Sequence, residues 1–167
     1  MPSVTQTKSN MLEKLAWAER SLARMDQAKQ ASDNTAVQDH FWSLLHACHL
    51  IWFYLGEFLQ SRGDPKGAAK RLLEQWQTKN LSNAEQSTWA LLVALRTEDV
   101  HTKPVATGKK KRLVCRDGKL LVSGNIGPCV VTVFVVNYDG KEHDAFHVAR
   151  TGVGILRRFV EDFDTLV

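Results

Sequence analysis

The chain has 167 residues, of which 44% are hydrophobic and 24% are charged, and its formal net charge is +4. This length and balance predict one folded unit with a substantial hydrophobic core, and they exclude a largely disordered chain. The three cysteines are an odd number without a Cys-x-x-Cys pair, which argues against a disulfide framework or a zinc knuckle and favours a reducing, cytoplasmic location. The first ten residues have no apolar core, so no secretory signal is expected.

The first two predicted helices are long and include the most apolar segment of the chain. An apolar stripe at helical spacing predicts a helix over residues 10–30, and several capping residues precede a second helix over about 34–61. Within the second helix, residues 41–59 are long enough to span a membrane, but His46 and His49 lie near their centre. A helix buried in a bundle is therefore expected, without membrane association.

The second predicted helix has two apolar faces. Besides a wide apolar stripe, a second face at spacings of four, three and four holds Trp42, His46, His49 and Phe53. A helix that is apolar around most of its circumference must be covered on two sides. The second face therefore predicts either a central position in the bundle or an interface with a second copy in a homodimer.

Two shorter helices complete the predicted bundle. Asp64 and the proline after it suit the N-cap and first position of a helix over about 65–79. Ser82 and Glu85 have the spacing of a capping box, which predicts the start of a fourth helix that runs to about Asp99.

The remainder of the chain has the pattern of short strands followed by one helix. Asp-Gly pairs at 117–118 and 139–140, each between apolar runs, predict two β-hairpins, and apolar spacing predicts a final helix over about 150–164. The expected fold is mainly α with a small antiparallel β part. A four-helix bundle over residues 1–104 is followed by a β-meander and closing helix over residues 105–167, packed on the bundle as one compact unit.

Positive charge is concentrated directly after the fourth predicted helix. Residues 101–119 contain seven lysines or arginines and one aspartate, a net charge of +6, which leaves −2 for the rest of the chain. The segment has two interpretations: a solvated strand edge protected by lysines, or a patch that binds a phosphate backbone. The candidate nucleic-acid-binding residues are Lys103, Lys109, Lys110, Lys111 and Arg112.

No metal site, cofactor site or cysteine nucleophile is predicted. His46 and His49 share a helix face, but no carboxylate completes a tetrahedral ligand set. His143 and His147 are expected on one strand face of the second hairpin, too far apart to chelate an ion as a pair. Phosphate-binding loops and nucleophile elbows have no matching motif in the sequence.

Arg96 and His101 lie at the end of the fourth predicted helix, in the segment ALRTEDVH. Five residues of ideal helix turn through about 140°, so the two side chains converge only if the helix loosens near Asp99. One interpretation is a helix cap, because Arg and His interact favourably with the negative end of the helix dipole. The other is catalysis, in which a neutral imidazole takes a proton from a ribose 2′-hydroxyl while a guanidinium binds the phosphate.

This segment resembles the signature of the HEPN superfamily, an Arg and a His separated by four to six residues near the end of a helical bundle. Here it reads RTEDVH, and the helical context over residues 10–104 is similar; Thr97 follows the arginine where the family often has Asn or Asp. The resemblance implies a compact, usually dimeric helical protein in which two copies of the motif meet across the dimer. It implies that Arg96 stabilises the phosphate and that His101 is a general base or acid.

The expected function is RNA binding, with metal-independent endoribonuclease activity of toxin or defence type, no cofactor, and an antitoxin-type protein as a candidate partner. Two alternatives stay open. The basic segment could serve a non-catalytic module that docks nucleic acid or an acidic protein. The chain could also be an oligomeric structural or regulatory protein in which Arg96 and His101 only cap a helix.

Overall fold

A computed structural model of the chain describes residues 2–101, 107–113, 115–116, 119–120 and 130–167, with side chains for residues 2–96 and 134–167. These residues form mainly helices with a small antiparallel β part, which confirms the expected class. Four helices are followed by short strands and a C-terminal helix. The helices are α1 (Val4–Gln30), α2 (Asn34–Ser61), α3 (Ala68–Asn80), α4 (Asn83–His101) and α5 (Ala145–Leu166).

The strands form two small antiparallel sheets. They are β1 (Thr107–Leu113), β2 (Cys115–Arg116), β3 (Lys119–Leu120), β4 (Val130–Tyr138) and β5 (Lys141–Asp144). Both expected hairpins are present, β2 with β3 and β4 with β5. The second turns at Asp139 and Gly140, whose φ angles of 48° and 69° suit a tight hairpin turn. The strands do not follow one another as in the expected meander, because β1 pairs with β4, giving the order β1-β4-β5.

Local capping accounts for the two helix starts that were predicted correctly. Asp33 accepts a hydrogen bond from the backbone N–H of Ala36 at 3.0 Å and caps α2. Before α4, the backbone N–H of Ser82 donates to the Glu85 carboxylate at 2.9 Å, and the backbone N–H of Glu85 donates to the Ser82 hydroxyl at 3.3 Å. These two bonds form the expected capping box. The backbone N–H and the hydroxyl of Ser82 both donate to the Glu85 carboxylate, which lowers the pKa of Glu85.

Two helices begin elsewhere than the sequence predicts. α1 begins at Val4 and is capped by Ser3. The predicted start at residue 10 is too late, because the first turns of the helix are polar and have no apolar stripe to mark them. α3 begins at Ala68, three residues later than expected. Gly67 precedes it in a left-handed conformation, with φ of 87°, and no side chain caps the helix. The prediction of Asp64 as the N-cap is therefore wrong.

The start of α5 also differs, and this moves one histidine. The Asp144 side chain accepts a hydrogen bond from the backbone N–H of His147 at 2.9 Å, so the helix begins at Ala145, five residues before the expected start. His143 consequently lies on β5, whereas His147 lies in the first turn of α5. The expectation that both lie on one strand face is wrong.

The last helix packs against both α1 and α4. Three ion pairs join α1 to α5 in antiparallel order: Lys8 with Asp164, Glu19 with Arg157, and Asp26 with Arg150. On the α4 side, Gly152 lies against Leu92 so closely that any side chain at position 152 would overlap it. The closing helix is thus a structural member of the helical core.

Aromatic residues from four helices meet at the centre of this core. Trp52 of α2 contacts Trp89 of α4, and Trp76 of α3 contacts Phe159 of α5. The indole N–H of Trp76 also donates to the carboxylate of Asp162 at 2.8 Å. This cluster holds α3 against the other helices. Among the described residues, no helix combines the length and apolarity needed to cross a membrane.

Candidate functional site

A groove of about 740 Å³ lies between α2, α3 and α4. Its walls are mostly apolar and include Trp52 of α2, Leu73 of α3 and Trp89 of α4. Several polar side chains also line it, among them His49 of α2 and Arg96 of α4. The groove therefore brings one of the two predicted catalytic residues next to an open apolar surface.

Arg96 is held by the fold in a partly buried position. Its Nε atom is buried and has no hydrogen-bond partner within the described part of the chain. Leaving a buried donor without an acceptor costs about 1–3 kcal/mol, and more when the group is charged. An acceptor supplied by a bound anion would remove this cost, so the geometry of Arg96 is suited to anion binding.

His49 is the histidine that the fold places beside Arg96. Partial burial lowers the pKa of His49, and the positive charges of Arg96 and then His46 lower it further. Because the ordinary pKa of histidine is about 6.5, a lowered pKa leaves His49 neutral at pH 7. The sequence had suggested His49 as part of a second apolar face on α2, and it had argued against a metal site formed by His49 with His46. Its position beside α4 in the groove could not be found from spacing within one helix.

The proximity of His49 and Arg96 predicts a shift that NMR can detect. Replacing Arg96 with Met is expected to raise the pKa of His49 toward its ordinary value, because a nearby positive charge disfavours imidazolium. The measurement is a pH titration of the histidine ring signals, with that of His49 assigned by its loss in His49→Gln. Replacing the exposed Arg62 at the end of α2 should leave this pKa unchanged. An unchanged pKa in Arg96→Met would show that the two groups are not close.

The backbone of α4 places Arg96 and His101 at different positions around the helix axis. α4 remains helical through Asp99 to His101, so the condition given for convergence, a helix that loosens near Asp99, is not met. Five helical residues therefore place the two positions about 140° apart around the α4 axis. The side chain of His101 lies outside the described residues, and its role stays a prediction.

The predicted basic residues lie on and before the first strand. Lys109, Lys110, Lys111 and Arg112 belong to β1, an edge strand that pairs with β4 and lies beside α2. Their side chains lie outside the described residues, as does all of Lys103. Their role in binding phosphate is therefore a prediction, although the backbone places four of the five together on one strand.

The second apolar face of α2 is not buried inside the chain. His46, His49 and Phe53 are exposed, with Phe53 at 51%, and Trp42 is half-buried. The expectation that this face lies at the centre of the bundle is therefore wrong for the three exposed residues, His46, His49 and Phe53. The alternative expectation, an interface with a second copy, stays a prediction.

Within the described ranges, the side chains offer no cluster of three or more His, Cys, Asp or Glu that could hold a metal ion. Cys48 is a free cysteine buried in the core, and burial raises the pKa of its thiol to about 12. A thiol with this pKa is protonated at neutral pH, so Cys48 is not suited to act as a nucleophile.

Comparisons with protein-family models, with curated proteins and with solved structures found no match to this chain. No relative therefore assigns it to a family. The HEPN resemblance of residues 96–101 stays a prediction.

Proposed function

We propose that the chain is a HEPN-like RNA-binding protein that contacts an RNA phosphate through Arg96. The observation that carries this proposal is the buried Nε of Arg96, which has no acceptor in the described part of the chain. A guanidinium is a planar set of five donors that matches the oxygens of a phosphate. An RNA phosphate would supply the acceptor that the described residues do not.

The proposal includes metal-independent cleavage of the RNA, with His101 as the general base. The neutral imidazole takes the proton from a ribose 2′-hydroxyl, and the 2′-oxygen attacks the adjacent phosphorus. The bond from phosphorus to the 5′-oxygen of the next nucleotide breaks, and that oxygen takes up a proton from water, while the imidazolium of His101 returns its proton to the solvent. The products are a 2′,3′-cyclic phosphate and a free 5′-hydroxyl. Arg96 stabilises the charge that develops on the phosphate oxygens.

A homodimer is part of the proposal, because Arg96 and His101 lie on different faces of one helix. The exposed face of α2 with Trp42, His46, His49 and Phe53 is the proposed interface. His49 belongs to this face and also lines the same groove as Arg96. A contact through this face would therefore bring the α4 ends of two copies near each other, so that both copies contribute to one site.

The basic strand extends the proposed RNA contact. Lys109, Lys110 and Lys111 lie on β1, which lies beside α2, the helix that holds His49. Lysines on this strand would neutralise phosphates next to the one held by Arg96, which makes binding sensitive to salt. The cytoplasm is the proposed location, supported by the free Cys48. The proposed protein partner is an antitoxin-type protein, which would inhibit the ribonuclease.

RNA binding by an Arg96→Met variant tests the proposal. The variant keeps an apolar stem but loses the guanidinium, and its affinity for a single-stranded RNA is expected to fall about tenfold or more. Fluorescence anisotropy with a labelled oligonucleotide measures the affinity. Arg71→Met, at an exposed arginine of α3 outside the groove, is the matched control and should bind as the wild type does.

A second variant separates the contribution of the basic strand. Replacing Lys109, Lys110 and Lys111 together with Gln is expected to weaken binding and to reduce its dependence on salt. If Arg96→Met binds RNA as tightly as the wild type, the proposal that Arg96 contacts an RNA phosphate is wrong. Binding that does not change with salt would contradict a phosphate contact altogether.

A further inference from the structure

We propose that the groove between α2, α3 and α4 binds a small amphipathic anion, with its acidic group on Arg96 and its apolar body along the groove. This inference does not require RNA binding. It rests on the shape of the groove and on the charge that the groove leaves uncompensated.

The shape of the groove suits a small molecule. Its volume of about 740 Å³ lies in the range of about 300–1,000 Å³ that is typical of small-molecule sites. Leu73 and Trp52 are only partly buried, although both lie among the apolar residues of the wall. Two alanines of the lining, Ala69 and Ala90, fill little of the space between α3 and α4. An apolar ligand body would cover this surface and remove it from water.

The charge of the groove selects an anion. Its charged lining residues are Lys70, Glu74 and Arg96. Glu74 forms an ion pair with Lys70, four residues earlier on α3, at 3.8 Å. Arg96 has no acidic partner among the described residues, and its Nε is buried without an acceptor. Counting only the side chains that the structure describes, the groove therefore has one positive charge that is not compensated, beside an apolar wall.

Other ligand types satisfy only half of this site. A neutral apolar molecule would fill the groove but leave the Nε of Arg96 without an acceptor. A compact inorganic anion would satisfy Arg96 but leave the apolar wall in water. A carboxylate or a phosphate monoester on an apolar chain satisfies both, so these two head groups define the ligand class.

Calorimetric titration of the full chain with matched probes tests this inference. The probes are decanoate, decyl phosphate, decanol and inorganic phosphate, each kept below its micelle concentration. At least one of the two amphipathic anions is expected to bind at one site per chain, about tenfold or more tighter than decanol or inorganic phosphate. Equal binding of decanol and both anions, or no saturable binding of either anion, would overturn the inference.

Variants locate the binding in the groove. Arg96→Met is expected to lose the preference for the anion over decanol, whereas Arg71→Met should retain it. Ala90→Trp places a large side chain in the groove and is expected to weaken all apolar probes by about tenfold or more. Circular dichroism would establish that each variant is folded. The titration of the wild type with the four probes tests the inference even if a variant does not fold. Binding that neither Arg96→Met nor Ala90→Trp changes would place the site elsewhere.

The test also separates this inference from the proposed RNA function. A chain that binds decanoate in the groove but no RNA supports the inference and contradicts the RNA function. If the chain binds RNA through Arg96 but binds neither amphipathic anion, the inference about the groove is overturned and the RNA function is supported. If both bind, decanoate is expected to compete with RNA, because both need the same guanidinium.

Discussion

Replacing His101 with alanine is expected to reduce the rate of RNA cleavage by about 10²–10⁴-fold, because the general base is lost. RNA affinity is expected to change little, since the proposal assigns phosphate binding to Arg96 and the basic strand. The measurement is single-turnover cleavage of a labelled RNA in excess chelator. The wild-type product is expected to end in a 2′,3′-cyclic phosphate, which chromatography distinguishes from a linear phosphate.

A second histidine provides the matched control for this substitution. His147 is exposed in the first turn of α5, outside the groove, and His147→Ala should cleave RNA as the wild type does. Cleavage that survives His101→Ala would show that His101 is not the base. If the wild type binds RNA without cleaving it, the chain is a non-catalytic binding module. Cleavage that stops in chelator would contradict the metal-independent mechanism.

Replacing Trp76 with alanine is expected to lower the free energy of unfolding by about 3–5 kcal/mol. Trp76 is 2% exposed, and its ring contacts Trp89 and Phe159 in the aromatic cluster that joins α3 to the other helices. Truncation would remove these contacts and leave a large cavity at the centre of the core. Urea denaturation followed by circular dichroism measures the change.

A second variant at Trp76 tests the hydrogen bond, and a variant at an exposed leucine is the control. Trp76→Phe keeps most of the apolar surface but loses the hydrogen bond to Asp162, and it is expected to cost about 1–3 kcal/mol. Leu12→Ala removes a side chain that is 46% exposed on α1 and should cost less than Trp76→Ala. If Trp76→Ala is no more destabilising than Leu12→Ala, the cluster does not hold α3 in place.

Local interactions determined the elements that the sequence predicted well. The range 34–61 of α2 follows from the cap at Asp33 and from a long apolar pattern. The capping box of Ser82 and Glu85 and the turn at residues 139–140 each involve residues no more than a few positions apart. Such interactions can be recognised in a sequence because the partners are close neighbours along the chain.

The pairing of the strands needed the tertiary structure. β1 pairs with β4, although β2 and β3 lie between them in the chain. The register that places Lys109 opposite Phe134 depends on residues 25 positions apart. No local pattern marks this partner, so the sequence suggested a meander of consecutive strands instead.

The candidate site divides in the same way. The sequence by itself singled out Arg96 together with His101, because an arginine and a histidine at this spacing near the end of a predicted helical bundle resemble the HEPN signature. The packing of α2 and α3 against α4 decided that its Nε is buried, that an apolar groove lies beside it and that His49 is its neighbour. Burial and the pKa of a neighbouring group arise from contacts between helices distant in the sequence, which spacing within one helix does not encode.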